Sequence, residues 1–209
     1  HPDLGPIPAD EFIAVAETNG LISKLGDSVL KQVLADLPAF IQKWPDASIA
    51  VNVSGLELSE ADFAQRKIKA IEAVSSQFFN HIEWEVTETI EIVNTELASQ
   101  HLERLKQRGT SIAMDDFGSG QSSLKRLNQL PFDKIKLDRA FVLGLPKSDC
   151  QDEIKNMVKL AQNKSMKLVV EGIETEQDLS QLSALGCTLG QGYLFSKPVT
   201  FQDLLKLAI

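Results

Sequence analysis

The stretch Ser111-Ile-Ala-Met-Asp-Asp116 (SIAMDD) begins as a strand fit for a protein interior and ends on two adjacent carboxylates. An unpaired ionised group in a low-dielectric setting costs several kcal/mol unless something cationic meets it. The same pattern, an apolar run that finishes on an oxygen-bearing side chain, recurs along the chain. Ser48–Ser54 (SIAVNVS) carries Asn52, Ile82–Thr87 (IEWEVT) carries Glu85, Lys134–Asp138 (KIKLD) ends on Asp138, and Lys167–Glu171 (KLVVE) ends on Glu171. A last run, Thr188–Gly192 (TLGQG), holds Gln191.

Between these runs the apolar residues recur at helical spacing. The helical patterns cover about 10–17, 24–43, 60–78, 95–108, 151–163, 176–185 and 201–208, and Gly109 and Gly186 stand where a helix must stop before a strand. Repeating β then α forces parallel strands joined by right-handed crossovers, either doubly wound or closed into a barrel. The polar strand ends decide between them. In a (β/α)8 barrel the strand C-termini open on one face and converge on the axis, whereas in an open sheet they spread along an edge. The expected fold is therefore an α/β, TIM-type (β/α)8 barrel, of which six strands and their helices are clearly present.

Composition sets the limits of this reading. A chain of 209 residues, 43% hydrophobic, can bury a sizeable core and suits one domain better than two. Its net charge of −8 disfavours a broad grip on nucleic acid polymers or anionic lipid, so a phosphate-bearing ligand must be met by a local site. Cys150 and Cys187 lie far apart and outside any metal-ligand spacing, which points to a reducing compartment. No run approaches the roughly 18 apolar residues of a membrane span, so membrane insertion by this segment is not expected.

Several carboxylates on one barrel mouth imply bound cations. The candidate ligands Asn52, Glu85, Asp115, Asp116 and Glu171 are all oxygen donors, and the histidines are His1, His81 and His101, so Mg2+ or Mn2+ in a two-ion site fits better than zinc. Two such ions can activate a water and stabilise the leaving oxygen of a phosphodiester. Lys136 precedes Asp138 by two residues on the same strand face and can orient a hydroxide or neutralise phosphate charge. Glycines in the 116–123 loop permit unusual backbone angles beside the ligands.

Each element also has a bland reading. Asp115-Asp116 before Gly-Ser-Gly suits an ordinary turn, Asn52 a loop cap, and Glu85 with Glu88 a capping box. Glu171 and Glu174 suit the start of a helix, Lys136 a solvated strand end, Gln191 a turn, and Trp44 and Trp84 suit packing. Independent turns have no reason, however, to place oxygen ligands at so many successive strand ends.

At these residues the sequence resembles the EAL family of cyclic di-GMP phosphodiesterases, from His1 to about Pro198. The motifs are PADEFIAVAETNGLI, VNVS, EVTET, DDFGSGQSSL, DKIKLDRAF, VVEGIET and QGYLFSKP, in family order. The resemblance implies a barrel whose first strand runs antiparallel to the rest, and hydrolysis of cyclic di-GMP to linear pGpG. It makes Asn52, Glu85, Asp115, Asp116 and Glu171 metal ligands, and assigns Lys136 to the water nucleophile. Lys136 and Glu171 are the candidate bases, with direct metal activation of water as the alternative. Gln191 lines the site, Glu88 steadies the loop after the Asp pair, Glu174 is a supporting residue, and Asp138 holds Lys136 or a metal-bound water.

The family's Glu-Ala-Leu segment, with a metal-binding glutamate, is expected just before HPDLG together with two strands. Residues 1–209 thus read as an EAL domain lacking those strands, with strands 3–8 and their helices present, and His1 as the result of truncation or undetected upstream residues, since six strands cannot close such a barrel without edges. A smaller departure is Gln121, where many relatives carry tyrosine. The family also implies a homodimer, a cytoplasmic location and an upstream sensory or regulatory domain. The competing expectation is a catalytically inactive module that acts as a cyclic di-GMP receptor or protein-interaction domain.

Overall fold

Ile82, Trp84 and Val86 alternate with Glu83, Glu85 and Thr87 along one strand, and all but the partly exposed Thr87 are buried. A strand buried on both faces belongs inside a sheet covered by helices, and the polar half of this one faces something other than water. In the computed structural model of the chain, residues 3, 5–87, 92–118 and 123–207 are described. Their elements run α1 (Ala9–Thr18), α2 (Ile22–Lys43), β1 (Ile49–Asn52), α3 (Gly55–Leu58) and α4 (Phe63–Glu72). A 3-10 turn (Ser76–His81) leads to β2 (Ile82–Thr87), α5 (Thr95–Lys106), β3 (Ser111–Phe117) and α6 (Ser123–Gln129). The chain continues through β4 (Lys134–Leu137), α7 (Arg139–Gly144), α8 (Ser148–Asn163), β5 (Lys167–Val170), α9 (Glu176–Ala184), β6 (Leu189–Gly190) and α10 (Phe201–Leu204).

The sheet decides between the two α/β architectures. All the described pairings are parallel and the strand order is β1-β2-β3-β4-β5-β6, the order of the sequence itself. A doubly wound sheet reverses its order at a switch point, whereas a barrel adds each strand beside the last. The curl brings the segment before β1 near the one after β6: Lys43 Nζ, in the last turn of α2, donates to the carbonyls of Leu205 and Leu207, each at 2.5 Å. The fold is a partial (β/α)8 barrel. The antiparallel strand implied by the family resemblance is not among these six.

The core lies between the sheet and its helices. Val51, Trp84, Ile112, Met114, Ile135, Leu168 and Val170 point outward from the strands and meet Leu30, Leu37, Phe63, Ile71, Leu102 and Ile154 from the helical layer. Trp84 is fully buried, with its ring edge-on to Phe63 at 6.4 Å, which answers the question of its role in favour of packing. Gly109 and Gly186 take positive φ just ahead of β3 and β6, as residues that stop a helix do. Among the described residues no helix is long and apolar enough to cross a membrane.

Several boundaries differ from the expectations. The helix expected over 60–78 ends at Glu72, because Ser75 is extended (φ −165°) and a 3-10 turn follows. Phe78 and Phe79 keep the apolar period going through that break, so periodicity alone overran it. The strand expected over 188–192 pairs only at Leu189–Gly190. The short helices α3, α6 and α7 are too brief for their patterns to stand out.

Candidate active site

The inward faces of the strands carry charge in two levels. At the level nearer the strand starts, Lys134 Nζ meets Glu83 Oε1 at 2.6 Å, and Ser111 Oγ donates to Glu83 Oε2 at 2.9 Å. One pleat higher, Lys136 Nζ lies 2.6 Å from Glu85 Oε1, 2.8 Å from Asp115 Oδ1 and 2.7 Å from Glu171 Oε1. Side chains two residues apart share a strand face, so Glu83 and Glu85, and likewise Lys134 and Lys136, stack along the barrel. The upper cluster joins residues from β2, β3 and β4 with the residue just after β5.

Asp115 and Asp116 are adjacent, and in a regular strand they would point to opposite faces. The β3–β4 register shifts between Met114 and Phe117, and Asp116 takes φ 54°, a left-handed conformation uncommon for residues other than glycine. This irregularity turns both carboxylates toward the same mouth: oxygens of Asp115, Asp116 and Glu171 all lie within 4.8 Å of one another.

The electrostatics follow from the count. Burial pushes the Glu85 and Glu171 carboxyls up from the usual carboxylate range, with Lys136 opposing it. Burial also works to lower the Lys136 ammonium, but the hydrogen bonds it donates to Asp115, Glu171 and Glu85 outweigh it and hold the group well above the ordinary lysine range. The two directions agree physically, because one ammonium is shared among several carboxylates: its charge is over-compensated and theirs is not. Among the described residues Glu85, Asp115 and Glu171 share one ammonium, and the Asp116 carboxylate stands beside them.

That imbalance, and the donor chemistry, fit divalent cations of the Mg2+ or Mn2+ kind. The imidazoles of the described residues stand elsewhere: His81 Nδ1 is 2.8 Å from the Ala47 carbonyl ahead of β2, and His101 packs edge-on to Phe63 among the helices. Oxygen-only sites suit hard cations.

The remaining candidates divide. Asn52 ends β1 opposite Glu85 in register, and its neighbour Val53 donates its N–H to the Glu85 carbonyl at 2.9 Å. Asp138 accepts the Ala140 N–H at 2.8 Å as the cap of α7, while Lys136 is gripped by Glu85, Asp115 and Glu171 instead. Gln191 follows β6, its backbone tied to Val170 and Ile173. Glu174 is paired with Arg139 at 2.8 Å. The start of α9 is capped by Thr175 with Asp178, which leaves Glu171 and Glu174 free of the capping role considered for them. Glu88 and Gln121 lie outside the described residues.

Asp116, Asp138, Arg139, Glu171, Glu174, Gln191 and Tyr193 line one hollow of about 340 Å³, with Gly172 and Gly192. Arg139 escaped the sequence reading although it follows Asp138 directly. Its chain lies across Gly172 so closely that a Cβ there would overlap it, and that contact has no local signature. A roomier hollow between α2 and α4, lined by Leu30, Leu34, Arg66, Ala70 and Val74 among others, belongs to the outer helical layer.

Comparison with known proteins follows the same line. The family described as "EAL domain" matches residues 1–198. The chain is 38% identical over 208 residues to the cyclic di-GMP phosphodiesterase NbdA of Pseudomonas aeruginosa, covering 98% of this chain and 26% of that protein. It is 37% identical over 211 residues to RocR, a cyclic di-GMP phosphodiesterase of the same organism, covering 98% and 52%. Among solved structures, the phosphodiesterase PaMucR in complex with c-di-GMP superposes with a TM-score of 0.84 at 32% identity, covering 98% of this chain and 83% of that one. The EAL enzyme Bd1971, bound to cAMP and cyclic-di-GMP, gives 0.87 at 29%, covering 99% and 57%. The chain thus spans about a quarter to a half of the length of these curated relatives.

Proposed function

This chain belongs to the EAL domain family, and on that footing we propose that it hydrolyses one phosphodiester of cyclic di-GMP, releasing linear pGpG, with two Mg2+ or Mn2+ ions. The observation that carries this reading is the gathering of Glu85, Asp115, Asp116 and Glu171 around a mouth that is short of positive charge. Asn52, Glu85, Asp115, Asp116 and Glu171 are the residues that would hold the ions. Such ions, when bound, supply positive charge for a phosphodiester and make water a better nucleophile at neutral pH.

The chain's own residues do the rest. Lys136 keeps the carboxylates of Glu85, Asp115 and Glu171 at one level and, held as an ammonium, is a donor rather than a base; to orient a water it gives up one of those three carboxylates for that N–H. Of the two candidate bases this leaves Glu171 as the one assigned to take the water's proton. Arg139, with one nitrogen on Glu174 and further N–H groups to offer, is the described cation on the hollow's wall suited to a phosphate oxygen. Gln191 and Tyr193 complete the wall, and Asp138 fixes the start of α7 and with it Arg139. Glu88 belongs to the same reading as a support of the 116–123 loop.

Kinship with the family supports the remaining parts of the proposal: a cytoplasmic location, self-pairing, and a place in a longer protein with a sensory or regulatory module. The natural full-length protein, supplied with Mg2+ or Mn2+, should convert cyclic di-GMP to pGpG, and chelation should stop the reaction. Product analysis by chromatography checks both halves. Cyclic di-GMP left intact in the presence of either metal sinks the proposal.

A further inference from the structure

Lys67 on α4 is 2% exposed and far from any role in chemistry, yet it is a full charge inside the helical layer. Its ammonium lies 2.8 Å from Asp27 Oδ1 on α2 and 3.1 Å from Glu57 Oε1 on α3. Glu57 is equally buried, and burial pushes its carboxyl up despite Lys67. Its other oxygen faces the Ser54 N–H at 3.4 Å, completing a capping box in which Ser54 Oγ accepts the Leu56 N–H at 3.2 Å. Ser54 Oγ also donates to Glu17 Oε1 on α1 at 2.6 Å.

Four helices therefore converge on the Ser54–Glu57 turn, which starts two residues beyond Asn52, while the intervening Val53 is pinned to β2. A four-residue helix such as α3 has no stability of its own, so its start is located by these contacts. An apolar pair of the same shape would hold the helices together at least as well as a buried ion pair. What charge adds is direction: Lys67 aims Glu57, and Glu57 aims the backbone of Ser54. Gly26 on α2 completes the fit, because a Cβ there would overlap the Glu57 carboxylate.

We propose that the buried Lys67–Glu57 pair is a positioning device for Asn52, fixing the turn after β1 so that the Asn52 side chain stands at the mouth beside Glu85. This rests on the reading of Asn52 as a metal ligand, and the experiment separates the two. Mn2+ binding, followed by the electron paramagnetic resonance of free Mn2+, should weaken about tenfold or more in Lys67→Met. For cyclic di-GMP, kcat should fall with little change in KM. Lys67→Arg should restore most of the affinity. Gly26→Ala, which leaves every charge in place and adds a better helix former, should reproduce the loss, and it decides the matter if Lys67→Met does not fold.

Wild-type Mn2+ affinity in a folded Lys67→Met or Gly26→Ala protein overturns the proposal, even if thermal stability drops. Should the wild-type protein bind no Mn2+, the metal reading falls instead. Positioning is then decided by the Asn52 side-chain amide signal in NMR spectra, assigned with Asn52→Ala. That signal should move or broaden in Lys67→Met and return in Lys67→Arg, and an unmoved signal overturns the inference.

Discussion

The two charged levels inside this barrel are built on the same strands, a single pleat apart, and differ in balance. Below, Glu83 and Lys134 neutralise each other and Ser111 satisfies the spare oxygen. Above, Lys136 is shared by Glu85, Asp115 and Glu171, and Asp116 adds another carboxylate. Both levels bring their carboxylates to an ammonium; only the lower one matches them one to one. Residues at the strand starts of such barrels read as stability and those at the strand ends as function, and here the distinction comes down to uncompensated charge.

If this division is right, the largest effect comes from the upper level. Asp115→Ala should lower hydrolysis of cyclic di-GMP by about a thousandfold or more, through loss of a metal-holding carboxylate, while circular dichroism stays that of the wild type. A variant that keeps its rate removes Asp115 from the site. The lower level should answer in the other currency. Lys134→Met leaves the buried Glu83 unpaired and should cost roughly 3 kcal/mol of stability, with turnover per folded molecule unchanged. A rate that fell in proportion would mean the two levels are not separate.

Smaller effects sharpen the contrast. Arg139→Ala should raise KM for cyclic di-GMP about tenfold, with a lesser change in kcat, and Arg139→Lys should recover only part of it because a point charge replaces a fork. An unchanged KM would return Arg139 to a surface ion pair with Glu174. The last test is one of sign. Glu85 and Glu171 have folded-state pKa values raised above 4.5, so the folded protein holds their protons more tightly than the unfolded chain. The stability they confer is present below pH 4.5 and lost as pH rises through their folded values. Metal-free Glu171→Gln should then be more stable than the wild type at pH 7, by about 1 kcal/mol, with the gap closing toward pH 4.5. Thermal melts across that range decide it, and a variant less stable at pH 7 would show that Lys136 alone already balances the mouth.

Much of the fold was legible because burial leaves a pattern. IEWEVT is strand over its full expected length, and SIAMDD and KLVVE differ from the expectation by one residue each. The barrel-type arrangement, as against a doubly wound sheet, was legible only from the coincidence of polar strand ends; the strand order that settles it is a property of the whole sheet. The members of the carboxylate cluster could be named from the sequence, but not what joins them. The period of a regular strand sends Asp115 and Asp116 apart, and nothing local announces the register shift that brings them together. Spacing places Lys136 on the inner face without revealing that Glu85, Asp115 and Glu171 all grip it. Asp138 reads as a site residue in KIKLD, yet its oxygen caps α7, since a strand-end aspartate and a helix cap look alike in sequence.

The left-handed backbone at Asp116 has one further consequence, for how such a chain would age. Holding that conformation disfavours the fold by about 1 kcal/mol or more relative to glycine, and a carboxylate near three others adds to the burden. The proposed metal chemistry is a reason to keep it there. In a lineage released from the need for this chemistry, position 116 should be among the first to drift, toward glycine or asparagine, and the resulting protein would be sturdier and silent.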